Sequence, residues 1–239
     1  MRGQAQAHSS VAKGSEGAKD TWRTPAPLLD RVRLLGPIVC DPCSNLDAST
    51  GALVNYSGPD GNGDDGLALP WARRGEGLTY VNWVYSHSAA WAKKIVVEAK
   101  HGAQIVGLGP ARPDTAWHRH LMTEAVMVGF YRGRIKFELP PGIVGIKVRF
   151  TAAPAAGADN VMGEVFQPLP FKKLKAGDYY VEVDQLDVVR VRHCLAQYAR
   201  VEEVPLAPAP FPSALFFFNL DPGAINVFAG VCDLYRKIQ

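Results

Sequence analysis

Short apolar runs recur along the chain, each closed by polar or turn-forming residues: Ile38-Val39-Cys40, Thr79-Tyr80-Val81, Ala103 to Leu108 and Ala125 to Phe130. Runs this short, rich in β-branched and aromatic side chains, read as buried strands. Between them the period lengthens. Leu28-Leu29-Asp30-Arg31-Val32 and Thr115 to Met122 read as helices. From Ser88 to about Lys100, Ala90, Ala92, Ile95, Val96 and Ala99 form one apolar face with Lys93, Lys94, Glu98 and Lys100 largely opposite, and Ser86 or Ser88 is the natural cap. Strand, helix, strand at this spacing predicts an α/β fold with a mostly parallel, helix-covered sheet.

Beyond Pro141 the pattern changes. Ile143 to Phe150 and Tyr179 to Val183 alternate as β-strands do, with Phe171-Lys172-Lys173-Leu174-Lys175 between them. A buried-strand signal returns only at Ser213-Ala214-Leu215-Phe216-Phe217-Phe218. The expected organisation is a disordered arm over residues 1–19, a main domain of residues 20–140 and 211–239, and a β-rich insertion over 141–210.

With 239 residues and 47% hydrophobic content, the chain can bury a large core. Its net charge of +3 permits nucleic-acid binding without demanding it, because the phosphate attraction depends on where the cations cluster. Clusters occur at Arg132, Arg134 and Lys136, at Lys172, Lys173 and Lys175, and at Arg190-Val191-Arg192-His193, although Lys and Arg in the insertion are balanced by Asp and Glu. The four cysteines are too few for a disulfide scaffold. Cys40-Asp41-Pro42-Cys43 has the spacing of a zinc half-site, yet no second half follows, so no metal is expected. No apolar run approaches the roughly 20 residues that span a bilayer, and a cytoplasmic protein is expected.

In an open parallel sheet, ligands bind at the carboxyl ends of the strands. Asp41 follows Val39-Cys40, Asn82 follows Val81, and Pro110 to Asp114 follow Leu108. The histidines read as bystanders: His118 and His120 share a helix with Arg119, His87 follows Ser86, and all three are expected at the surface. Trp91 and Trp117 read as core anchors of their helices.

The order of these signals resembles the phage-type DNA N6-adenine methyltransferases. The matching segments are Asp20-Thr21-Trp22-Arg23-Thr24-Pro25, Asp41-Pro42-Cys43, Asp65-Gly66-Leu67 with Trp71, Asn82-Trp83-Val84-Tyr85-Ser86, Gly133-Arg134-Ile135-Lys136-Phe137 as a strand, and later Pro212 to Phe216. The resemblance implies a Rossmann-like class I methyltransferase sheet with helices on both faces, S-adenosylmethionine as cofactor and double-stranded DNA as partner.

By the same resemblance, Asn82 and the Trp83 carbonyl accept the exocyclic amine of a flipped adenine while Tyr85 stacks on the base. Trp22, Thr24, Pro25, Asp41, Pro42, Cys43, Ser44, Asp65, Leu67 and Asn82 line the cofactor. Arg132, Arg134, Lys172, Lys173, Lys175, Arg190 and Arg192 are candidate DNA contacts, and the insertion a target-recognition element or, instead, a lid or dimerisation arm. One departure stands out: the family's two prolines after the asparagine are Trp83 and Val84 here. Cytosine N4 or another polynucleotide as target, and a protein that has lost catalysis, remain open as alternatives. The sequence does not specify the oligomeric state.

Overall fold

The computed structural model describes residues 22–58, 62–71, 75–151, 157–166, 171–174, 178–204 and 211–236. The arm over residues 1–19, Lys175 and the side chain of Lys172 lie outside the described residues. The chain divides into two units. One holds Thr24–Lys136 with the described part of Pro208–Gln239; the other holds Trp22, Arg23 and the described part of Phe137–Ala207.

The first unit runs α1 (Ala26–Arg33), β1 (Ile38–Asp41), β2 (Val54–Asn55), β3 (Leu78–Asn82), a 3-10 turn (Tyr85–His87), α2 (Ser88–Lys100), β4 (Gln104–Pro110), α3 (Ala116–Glu124) and β5 (Met127–Tyr131). The second unit supplies β6 (Ile143–Phe150), α4 (Ala158–Phe166), β7 (Phe171–Lys173), β8 (Tyr179–Asp184), α5 (Val188–Leu195) and β9 (Ala199–Val204). The chain then returns to the first with β10 (Ser213–Phe218) and β11 (Cys232–Arg236).

In the first unit seven strands form one sheet in the order β11-β5-β10-β4-β3-β1-β2. β2, β1, β3 and β4 pair in parallel. β10 lies antiparallel between β4 and β5, which therefore points the same way as β4, and β11 pairs antiparallel with β5. Every residue of β3 and of β10 is buried, as expected for central strands covered on both faces.

Helix α2 departs from its expected pattern in two places. Neither serine caps it: His87 holds the cap position, and Ser88 instead turns its hydroxyl to the Tyr85 carbonyl, 2.7 Å away. Glu98, placed by its charge on the outer face, is 3% exposed. It is neutralised by Lys94 at 2.7 Å and accepts from the Trp71 backbone N–H at 3.2 Å, while Lys94 also lies over the Trp71 ring. A buried carboxylate is tolerable only when paired and hydrogen-bonded in this way.

In the second unit an antiparallel sheet, β7-β8-β6-β9, packs its Ile146, Val148, Tyr179, Val181 and Val183 against Met162 and Phe166 of α4 and Val188, Val191 and Leu195 of α5. The element expected to be β-rich is thus α+β. Asp178, 4% exposed, accepts from Arg149 at 3.1 Å and Lys147 at 2.7 Å, and these bonds hold its carboxyl down at a pKa of about 2. Trp22 and Arg23 belong here: the Trp22 ring lies 5.9 Å from that of Phe137, its indole N–H donates to Glu182 at 3.3 Å, and Arg23 pairs with Glu138. The Gly133 to Phe137 segment is not a strand. Ile135 and Phe137 are buried and Arg134 and Lys136 exposed, but no ladder forms until the Glu138 bridge.

Candidate active site at the strand ends

From β1 the sheet grows outward to β2, and the chain then crosses back to lay β3 on the other side of β1. This reversal is the position at which open α/β sheets bind ligands, beyond the carboxyl ends of the two strands. Asp41 ends β1 and Asn82 ends β3. Both are buried, at 4% and 7% exposed, which is costly for polar side chains unless partners hold them.

Asp41 is held by its own loop. Its Oδ1 accepts from the Cys43 N–H at 3.1 Å and its Oδ2 from the Thr50 hydroxyl at 3.0 Å. Ser44 donates to Asn55 at 3.1 Å, and its amide bonds the Tyr56 carbonyl at 3.0 Å. The Asp65-Gly66-Leu67 turn closes on this loop. Asp65 Oδ1 accepts from the Leu67 N–H at 2.9 Å, and a β-carbon on Gly66 would overlap the Pro42 carbonyl oxygen, so only glycine permits the approach. Trp71 fastens the turn from behind, its indole N–H donating to the Gly66 carbonyl at 2.8 Å. Thr24 shares a 2.8 Å hydrogen bond with the fully buried Tyr80 hydroxyl, and Pro25 caps α1. The structure therefore brings the Asp41–Ser44 and Asp65–Leu67 segments together and leaves Trp22 in the other unit.

The turn after β3 is built differently. Asn82 Oδ1 accepts from the Tyr85 hydroxyl at 2.7 Å. Trp83 is 1% exposed, and its indole lies on the β4 backbone: a β-carbon on Gly109 would overlap the ring, and one on Gly107 would come within 3.3 Å of it. Its ring meets Trp117 edge-on at 6.0 Å and Phe216 at 6.1 Å, and its N–H donates to the Ser88 hydroxyl at 3.0 Å. Val84, also 1% exposed, has φ −64° and ψ 111°. Tyr85 is flanked edge-on by Phe211 at 5.3 Å and Trp83 at 6.4 Å.

A family model described as DNA N-6-adenine-methyltransferase (Dam) matches residues 11–167, well over half of the chain. The chain belongs to this family. No curated protein and no solved structure gives a match. Membership makes DNA the substrate class and adenine N6-methylation the general activity, in a family whose methyl donor is normally S-adenosylmethionine. Among the described residues no helix is long and apolar enough to cross a membrane, and no group of three or more His, Cys, Asp and Glu is arranged to hold a metal ion.

Within this methyltransferase frame the Val84 backbone is informative. Proline would fix φ near −65°, and Val84 holds that value without the ring. Trp83 likewise fills the core rather than the crevice, where an indole would compete for space.

His118 is the largest correction to the sequence reading. It is fully buried, not a surface histidine, and lies 5.0 Å from the Phe216 ring and 6.0 Å from that of Phe130. Neither imidazole nitrogen has a partner among the described residues, and burial pushes its pKa down to about 4 against a smaller pull from Asp114. His120 is exposed and His87 half-buried.

Most candidate DNA contacts are already ion-paired. Arg132 binds Asp233 at 2.8 Å, Lys173 binds Asp159 at 3.0 Å, Arg190 binds Asp187 at 3.1 Å and Arg192 binds Glu203 at 3.0 Å. Arg134 and Lys136 are exposed with no ion pair among the described residues. The Pro110 to Asp114 loop, at the carboxyl end of β4, holds a further pair, Arg112 with Asp114 at 3.3 Å.

Proposed function

We propose that this protein transfers a methyl group from S-adenosylmethionine to the exocyclic N6 amine of an adenine flipped out of duplex DNA. The observation that carries the reading is Asn82: a buried amide at the carboxyl end of β3, beside the sheet's reversal point, oriented by the Tyr85 hydroxyl.

The loops at the end of β1 suit the cofactor. Asp41 is a buried carboxylate at the carboxyl end of β1, and Asp65 offers Oδ2, which makes no hydrogen bond among the described residues. Asp41 would hold an ammonium or ribose hydroxyls, Asp65 an adenine amine, and Leu67 would pack on the ring, with Ser44, Thr24 and Pro25 completing the wall. When bound, the cofactor supplies an electrophilic methyl group on a sulfonium.

The chain's own residues do the rest. An adenine amine is a weak nucleophile because its lone pair is conjugated with the ring. Asn82 Oδ1 and the Trp83 carbonyl accept its two protons, drawing nitrogen toward tetrahedral geometry and stabilising its growing positive charge. Tyr85 stacks on the base, since aromatic platforms hold flipped bases. For this its hydroxyl must release Asn82. Orientation provides most of the acceleration. As the adenine nitrogen takes the methyl group, the carbon–sulfur bond breaks to leave a neutral thioether, and the methylated, now strongly acidic nitrogen gives its extra proton to water, so no side-chain base is required. Arg134 and Lys136 are the favoured phosphate contacts because they are exposed and make no ion pair among the described residues, and the second unit serves target recognition.

The test is transfer of tritiated methyl groups to unmethylated duplex DNA, followed by digestion to nucleosides. N6-methyladenine is expected. Label in N4-methylcytosine would move the activity to the other conjugated amine, and S-adenosylhomocysteine binding without transfer would mark a protein that has lost catalysis.

A further inference from the structure

We infer that Ser88 is the positioning residue through which this chain holds its amine-binding turn without the family's prolines. The inference rests on the reading of Asn82 to Tyr85 as that turn. Ser88 is 5% exposed and opens α2, yet makes no cap bond to its helix. Its hydroxyl accepts from the Trp83 indole N–H at 3.0 Å and donates to the Tyr85 carbonyl at 2.7 Å. A serine hydroxyl has one proton to give and two lone pairs, so both bonds form at once.

The relay joins a closely packed ring to a stretch of backbone. The Trp83 ring is confined, pressed on the backbone of β4 at Gly107 and Gly109 and flanked by Trp117 and Phe216. The backbone from Trp83 to Tyr85 has no pyrrolidine ring to restrict it, although Val84 sits at the φ a proline would impose. Ser88 transmits the position of the indole to the Tyr85 carbonyl, and so holds the backbone from which the Asn82 and Tyr85 side chains project, whether or not the Tyr85 hydroxyl is bonded to Asn82. Two prolines restrict a turn covalently. Here an anchored indole and one hydroxyl do the same work by packing and hydrogen bonding.

Four proteins test this: the wild type, Ser88→Ala, Ser88→Thr and Ser88→Ala with Val84→Pro. The proline is compatible because Val84 already has the required φ and its N–H makes no hydrogen bond among the described residues. The readouts are hydrogen exchange at the Trp83–His87 amides, kcat for methyl transfer, and S-adenosylhomocysteine affinity. Ser88→Ala is expected to speed exchange in the turn and lower kcat roughly ten- to a hundredfold, as small misplacements of reacting groups do, with cofactor affinity unchanged. Threonine should restore both, and so should proline at position 84 despite the missing hydroxyl. Unaltered exchange in Ser88→Ala, or failure of the proline to slow it again, overturns the inference. If the wild type transfers no methyl group the proposed function fails, and the exchange measurements still decide the role of Ser88.

Discussion

The loop after β1 and the turn after β3 end neighbouring strands of one sheet, but they are held by opposite means. In the first, the backbone does most of the holding: Pro42 fixes its own φ, Gly66 permits a contact no other residue allows, and Asp41 folds its carboxylate back onto Cys43 and Thr50. In the second, side chains do the holding: Trp83 is wedged on glycines, Ser88 bridges it to the Tyr85 carbonyl, and the Tyr85 hydroxyl bonds Asn82. A turn can therefore keep proline-like torsion angles without proline, at the cost of depending on residues distant in sequence, such as Gly109.

Removing the wedge should have the largest effect. Trp83→Ala deletes a buried aromatic residue, and such deletions cost roughly 3–5 kcal/mol; chemical denaturation would measure it, and a loss below about 1 kcal/mol would show that the indole is not an anchor. Asn82→Ala comes next: transfer should fall on the order of a hundredfold or more, as when a transition-state hydrogen-bonding group is removed, and transfer at the wild-type rate would contradict the role given to the amide. Gly66→Ala strikes the other loop. Overpacking there should cost about 1–3 kcal/mol and weaken S-adenosylhomocysteine binding in a calorimetric titration, while equal affinity would separate Gly66 from the cofactor.

A smaller, pH-dependent effect follows from His118. Its folded pKa lies at about 4, below the ordinary 6.5, so between these values the unfolded chain takes up a proton that the folded chain refuses. Its contribution is complete above about 6.5 and lost as pH falls toward 4. The melting temperature of wild type should fall relative to that of His118→Leu as pH drops through this window, and parallel curves would contradict the assignment. Least of all, Arg132→Ala breaks an exposed pair with Asp233 and should change stability by under about 1 kcal/mol.

The parts legible in the sequence are those set by short-range pattern. β1, β3, β4 and β10 are apolar runs bounded by turn residues, and α2 is amphipathic, so their presence follows from local periodicity. Asn82 and Asp41 are found by position, since each closes such a run. What escaped depends on partners elsewhere. His118 and Glu98 carry polar side chains whose burial is decided by Phe216 and Trp71, distant in sequence. Arg190 and Arg192 form a basic run interleaved with the Val188, Val191, Leu195 spacing that makes α5 a core helix. In α4, Val161, Met162, Val165 and Phe166 likewise repeat at helical spacing within a stretch expected to be β-rich. Toward its end the Gly133 to Phe137 segment alternates buried and exposed as a strand does, yet pairs with no neighbour among the described residues. Trp83 in the core could not be foreseen from its position; the glycines at 107 and 109 were the available signal, because they leave room for it.

The central claim is that packing on β4, not backbone chemistry, sets the turn that holds Asn82. Gly109→Ala tests it most directly, with methyl transfer and S-adenosylhomocysteine affinity measured on the same protein. The added β-carbon would overlap the Trp83 ring, which must move. The account predicts that transfer falls while cofactor affinity stays at the wild-type value, because the loop after β1 is held independently. Undiminished transfer would show that the turn does not depend on the wedge, and the claim would fall.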